Sequence, residues 1–189
     1  MKINIPENIN EITLSQWQRI SLLEKENDYT QAKVLEIIFH VTKKQFNQMK
    51  AKDVQFLSGE VGRLFATKST LQRTFKMKGI EYGLIPNLDD ISFAELTDID
   101  TNVEVENYHK LMSILYRPIT KKTMGTYEIE SYEGTNDSMK DMPLGVALGG
   151  FAFFLTLGQE LVKATLNSSG MEVPAALQTS GVGFQQFTS

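Results

Sequence analysis

Two histidines, 23 carboxylates and no cysteine are the raw material for chemistry in this 189-residue chain. His40 closes an apolar stripe of Val34, Leu35, Ile38 and Phe39, a place where an imidazole caps a helix C-terminus. His109 follows an acidic run containing Asp98, Asp100, Glu104 and Glu106. Imidazole and carboxylate are ligand types for a divalent metal. Their spacing here matches no defined metal site, and a solvated acidic helix surface accounts for the same residues. A Gly-rich phosphate loop, HExxH, GxSxG and a dinucleotide fingerprint are all missing. Nothing singles out two carboxylates as facing each other across a cleft for acid/base work. The lack of cysteine removes disulfides, thiolate metal sites and a thiol nucleophile. The expectation is a non-enzymatic protein with no catalytic residue, no metal and no cofactor.

Charge is distributed more informatively than nucleophiles are. The chain carries 19 Lys and Arg against 23 Asp and Glu, a formal charge of −4, unlike a strongly basic nucleic-acid binder. Between Lys43 and Lys78, nine bases (Lys43, Lys44, Lys50, Lys52, Arg63, Lys68, Arg73, Lys76, Lys78) face two acids (Asp53, Glu60), a net of +7. From Glu81 to Glu106 there are eight acids and no base, a net of −8. The basic stretch offers nonspecific contact to a phosphate backbone, although few aromatics are interleaved for base stacking. The simpler reading is solvated faces, or complementary surfaces that pair within the chain or between copies.

The elements that must hold these groups follow from hydrophobic period and capping chemistry. The N-terminal MKINIPENINEI has no apolar run of signal-peptide length, so the product is expected to remain in the cytoplasm where it is made. Thr13 and Gln16 form a capping box, with Ile12 and Trp17 as a hydrophobic staple, and predict a helix ending near Lys25. Further helices are predicted over 29–40, from a Thr42/Gln45 box, and from Asp53 through Phe65. At Arg73 the period changes to two: Phe75 and Met77, a Lys78-Gly79 turn, then Ile80, Tyr82 and Leu84 read as a β-hairpin. A Ser92/Glu95 box with an Ile91/Leu96 staple starts a helix reaching about Ile99. Val105, Tyr108, Leu111, Met112 and Leu115 line another helix, stopped by Arg117-Pro118. Residues 119–120 and 127–132, joined by a loop over 121–125, suggest a second, polar hairpin at a sheet edge.

No charge occurs between Asp141 and Glu160, where Phe151, Phe153, Phe154, Leu155 and Leu157 concentrate. Gly145, Gly149, Gly150 and Gly158 thin this window, which falls short of the roughly 20 apolar residues a membrane span needs. A buried central helix is expected instead, with Gly145 and Gly149 marking close approach of a neighbouring helix. The fold class is α+β, mostly α-helical with one or two β-hairpins. It comprises one globular domain over 1–166 (helical 12–70, hairpin and helix 73–135, apolar helix 138–166) and an extended arm over 167–189. A tail of that composition cannot build its own core. Val173, Leu177, Phe184 and Phe187 are its candidate anchors in a partner's grooves.

The run from Phe75 to Asp100 resembles a family of tailed-bacteriophage proteins found in crAss-like and other phages of Bacteroidetes and environmental samples. The pieces 109–119, 127–134, 142–147 and 153–158 resemble it as well, about half the chain together, whereas the tail after Asn167 does not. The resemblance implies a phage structural or tail-assembly protein with no enzymatic activity to carry over. Its partners would be other phage structural proteins or copies of itself; the basic stretch over 43–78 adds nonspecific nucleic acid as a further contact, and the short apolar window implies no membrane partner. Two roles are implied: a virion component such as a cargo protein in capsid or tail, made in the host bacterial cytoplasm, or a tail-assembly chaperone for the tape-measure protein.

Overall fold

The computed structural model describes residues 3–23, 28–87 and 90–168. The described residues are α+β, with seven α-helices and one four-stranded antiparallel sheet among them. Helix α1 (Leu14–Ser21) opens on the predicted box: Gln16 N–H donates to Thr13 Oγ1 at 3.2 Å, and Thr13 N–H donates to Gln16 Oε1 at 2.9 Å. It stops at Ser21, earlier than expected, and Lys25 lies outside the described residues. Helices α2 (Asp28–Phe39), α3 (Lys43–Gln48) and α4 (Ala51–Phe65) follow, with Thr42 and Gln45 capping α3 reciprocally. Asp53 is not the cap of α4. Lys50 takes that position without a side-chain bond, and Asp53 lies within the first turn, where a carboxylate favours the helix dipole.

Strands β1 (Thr74–Met77) and β2 (Ile80–Leu84) form the predicted hairpin. Lys78 and Gly79, both at positive φ (50° and 81°), make the left-handed turn that matches strand twist. Phe75 and Tyr82 are cross-strand partners and stack at 5.3 Å. Helix α5 (Phe93–Thr101) carries the Ser92/Glu95 box, and α6 (Tyr108–Leu115) runs without a loop into β3 (Tyr116–Thr123). The second hairpin closes with β4 (Thr126–Ile129). Lys121, Lys122 and Thr123 are strand residues and not loop, because a two-residue turn at Met124-Gly125 suffices. The two hairpins are joined by β2–β3 pairing into one sheet of order β1-β2-β3-β4, so β4 is an edge strand.

Helix α7 (Leu144–Ser168) is the long C-terminal helix. It starts later than 138, since Ser138–Asp141 is a separate 3-10 turn, and it takes in Asn167 and Ser168, which the sequence assigned to the arm. Residues 144–147 are buried, but Phe151, Phe153 and Phe154 are only half-buried and Leu155 is exposed, so the helix is not central throughout. No helix among the described residues is long and apolar enough to cross a membrane. The glycines do mark close approach, at Gly145 by the short 3-10 helix Ile9–Glu11 and at Gly149 by the non-helical backbone at Thr70. A Cβ on Gly149 would lie 2.3 Å from the Thr70 carbonyl oxygen, and one on Gly145 would lie 2.4 Å from Asn10 Oδ1.

A structural echo invisible in sequence closes the core. A 3-10 turn at Ile9–Glu11 leads through Ile12 and Thr13 into α1, and the turn at Ser138–Asp141 leads through Met142 and Pro143 into α7. The two segments pair antiparallel: Leu14 N–H donates to the Met142 carbonyl at 2.9 Å, and Leu144 N–H donates to the Ile12 carbonyl at 2.9 Å. Ile9, Ile12 and Leu14 correspond to Met139, Met142 and Leu144, and all six are buried.

Candidate functional site

His109, the more promising histidine, is buried at the meeting of α1, α6 and the turn before α7. Gln18 Nε2 donates to the carbonyls of Val105 and Glu106 at 2.6 and 2.9 Å, which fixes the orientation of its amide. The same nitrogen, its two hydrogens turned to those carbonyls, lies 3.1 Å from His109 Nδ1; the Asp137 carboxylate beside Nε2 can only accept, so the proton of the neutral ring sits on Nε2. Nε2–H donates to Asp137 Oδ1 at 2.8 Å, and Lys140 holds the other Asp137 oxygen at 2.8 Å. Burial pushes the imidazole below its ordinary value, outweighing the hydrogen bond and charge of Asp137, which favour the proton. Both ring nitrogens are occupied by the protein's own groups, and the arrangement ties three elements together.

The acidic residues that precede His109 do not gather around it. Asp98 accepts from the Tyr132 hydroxyl, Asp100, Glu104 and Glu106 are solvent-exposed, and no group of three metal-ligating side chains forms among the described residues. His40 follows the last residue of α2 with φ +55°, exposed at the rim of an open cleft of about 360 Å³. Two of the polar groups that line it are engaged within the fold: Gln16 Nε2 donates to the Ile37 carbonyl at 2.7 Å, and Glu11 Oε1 accepts from Glu7 N–H at 3.0 Å.

The most highly constrained charged group was not singled out from sequence as more than a helix cap. Glu95 Oε2 accepts from the Ser92 N–H (2.8 Å) and hydroxyl (2.7 Å), while Oε1 pairs with Arg117 Nη2 at 2.8 Å. Both side chains are nearly buried, and Arg117 lies over the Tyr132 ring, 5.7 Å from its centroid. Burial alone would raise the Glu95 carboxyl, but the Ser92 and Arg117 bonds hold it below its ordinary value. Burial and Asp98 keep the Tyr132 hydroxyl protonated far above the usual tyrosine range. The signal was an acid in a capping box and an arginine before a proline; what joined them was the α6–β3 junction.

The features left open to solvent are surfaces. All nine bases of the 43–78 stretch are exposed, and so are Asp90, Asp100, Glu104 and Glu106 of the acidic stretch. Among the described residues no ion pair joins the two stretches: Arg63 pairs with Glu60, Lys78 with Asp141, Glu81 with Lys122 and Glu95 with Arg117. Large apolar side chains stand in water beside them, notably Phe93 at 84% and Phe56 at 57% exposure. Near the base of α7, Trp17, Tyr108 and Phe151 form a half-buried aromatic stack, with centroid separations of 5.5 and 4.5 Å. The apolar void beneath it, about 10 Å³, is no larger than one water. Val173, Leu177, Phe184 and Phe187 lie outside the described residues.

Comparison with known protein families, with curated proteins and with solved structures returns no match to this chain.

Proposed function

We propose that this chain is a non-enzymatic, virion-associated bacteriophage protein, a cargo or structural component of capsid or tail that acts through protein–protein contacts. The observation that carries the reading is the contrast on α5: Glu95 is buried in an ion pair with Arg117 while Phe93 and Leu96 face solvent. A helix that turns its acid inward and its aromatic outward leaves apolar surface for a neighbour to cover. Mass spectrometry of purified particles tests it. Detection at stoichiometric levels supports a virion component, and presence in infected cells with absence from particles overturns it.

A tail-assembly chaperone is the second reading, favoured by the half-exposed Phe151, Phe153 and Phe154 on α7 together with exposed Leu155. Recovery with the tape-measure protein from infected cells, together with absence from finished particles, would select it. The exposed bases of residues 43–78 also suit nonspecific nucleic-acid contact, for which retention on phosphocellulose should fall steeply with salt.

A further inference from the structure

Helices α1 and α6 meet through two neighbouring pairs of side chains. Trp17, the one tryptophan of the chain, stacks on Tyr108 with centroids 5.5 Å apart. The next residue along each helix, Gln18 on α1 and His109 on α6, is buried, and the two meet at 3.1 Å. The Gln18 amide directs its hydrogens to the carbonyls of Val105 and Glu106, in the 3-10 turn Val105–Asn107 that leads into α6. His109 Nδ1 therefore faces a nitrogen that has no lone pair to offer. That arrangement suits a neutral ring, whose single proton is on Nε2 and goes to Asp137 Oδ1 at 2.8 Å. An imidazolium carries a proton on both nitrogens, and its Nδ1–H would point at Gln18 Nε2. Turning the amide over gives no remedy, because Oε1 would then oppose the two carbonyl oxygens that now lie 2.6 and 2.9 Å from Nε2. Of the charged groups around the ring, Asp137 favours the cation, while Lys140 of the turn before α7 and Lys110 of α6 oppose it. Helix α1 presents the Gln18 amide, and Glu106 of the 3-10 turn is exposed.

We propose that His109 is a pH-sensitive latch: protonation of its ring displaces the Gln18 amide from the Val105 and Glu106 carbonyls and shifts the C-terminal half of α1 off α6. The first turn of α1 stays in place. It is fixed by the Thr13 and Gln16 capping box and by the bond from Leu14 N–H to the Met142 carbonyl, and none of these groups titrates. Opening is therefore local. It disturbs the Trp17–Tyr108 stack first and uncovers the apolar side chains beneath it, Leu14, Met112, Ala147 and Leu148. Burial holds the imidazole below its ordinary 6.5, so the latch is closed at neutral pH and opens in mild acid.

Trp17 fluorescence of the full chain, followed beside far-ultraviolet circular dichroism from about pH 7.5 to about pH 4.5, provides the test. The emission should change with a midpoint below 6.5 while circular dichroism still reports folded helices. His109→Gln takes up no proton and should lose the change altogether. Asp137→Asn, at an exposed side chain, keeps an oxygen for Nε2–H but withdraws the charge that favours the imidazolium, so its midpoint should move to lower pH. That variant keeps the test decisive even where His109→Gln fails to fold. Emission that stays flat in the folded protein overturns the latch, as does a change that coincides with the loss of circular dichroism. So does a change that persists in His109→Gln, or a midpoint that Asp137→Asn leaves unmoved. None of these outcomes bears on whether the protein is found in particles, so the two proposals fail separately.

Discussion

Replacing Glu95 by alanine should destabilise the fold by about 3–4 kcal/mol, most of it from stranding Arg117. The carboxylate serves two partners, Arg117 Nη2 at 2.8 Å through Oε1 and Ser92 through Oε2. Removing one member of a buried ion pair costs about 3–5 kcal/mol, because the other charge stays behind in a poor solvent. The Arg117 side chain is 13% exposed and keeps the face of Tyr132, so the lower part of that range applies. Loss of the reciprocal cap bond adds about 1 kcal/mol. Glu95→Gln retains an oxygen for Ser92 N–H but turns an amide NH2 toward Arg117, losing both the charge and the acceptor there, for about 2–3 kcal/mol. Exchanging both partners, Glu95→Gln with Arg117→Met, should cost less than Glu95→Gln alone, since no uncompensated charge remains. Urea unfolding at neutral pH, followed by far-ultraviolet circular dichroism, reads all three variants. Because the folded Glu95 sits below its ordinary value near 4.5, its contribution is complete above that pH and is lost as pH falls through the folded value. The wild type and Glu95→Gln should therefore converge in acid. An alanine variant within about 1 kcal/mol of wild type, or a double variant no better than the single, would refute the assignment of a buried, energetically coupled pair.

Three further outcomes are expected. Gly149→Ala should lower stability by about 1–3 kcal/mol because its Cβ meets the Thr70 backbone, whereas Gly59→Ala should raise it by about 0.5–1 kcal/mol; thermal melts of the two variants give opposite signs. Tyr127→Phe keeps the ring over Gly83 but loses the hydroxyl bond to the Leu84 carbonyl, 2.7 Å in length, and should cost about 1 kcal/mol in urea. His109, held below its ordinary value near 6.5, leaves the unfolded chain binding more protons, so stability should fall as pH drops below 6.5. In His109→Gln the slope between pH 7 and 5 should flatten, and an unchanged slope would mean the imidazole is not the group responsible.

Much of the fold was written in local chemistry. The capping boxes at Thr13, Thr42 and Ser92 set three helix starts, because a side chain answering its own backbone three residues away needs no tertiary partner. The Lys78-Gly79 turn fixed the first hairpin in the same way. Cap and turn signals failed where long-range contact decided the outcome. Asp53 had the residue type of a cap, but the chain turned at Lys50, and of the α7 glycines Gly149 faces the Thr70 backbone instead of a helix, while Gly145 meets the short 3-10 helix that holds Asn10.

Sequence alone determined which residue types were on hand, where backbone groups find partners nearby, and that the charge divides into a basic stretch and an acidic one. Tertiary structure decided what those groups do. Gln18 meets His109 across 91 positions of chain, and Leu14 bonds to Met142 across still more, pairings that no local period encodes. It also decided that α5 would bury Glu95 and expose Phe93, reversing what polarity alone would assign. The reason is physical: an arginine buried at the α6–β3 junction needs a carboxylate more than the core needs one further aromatic ring.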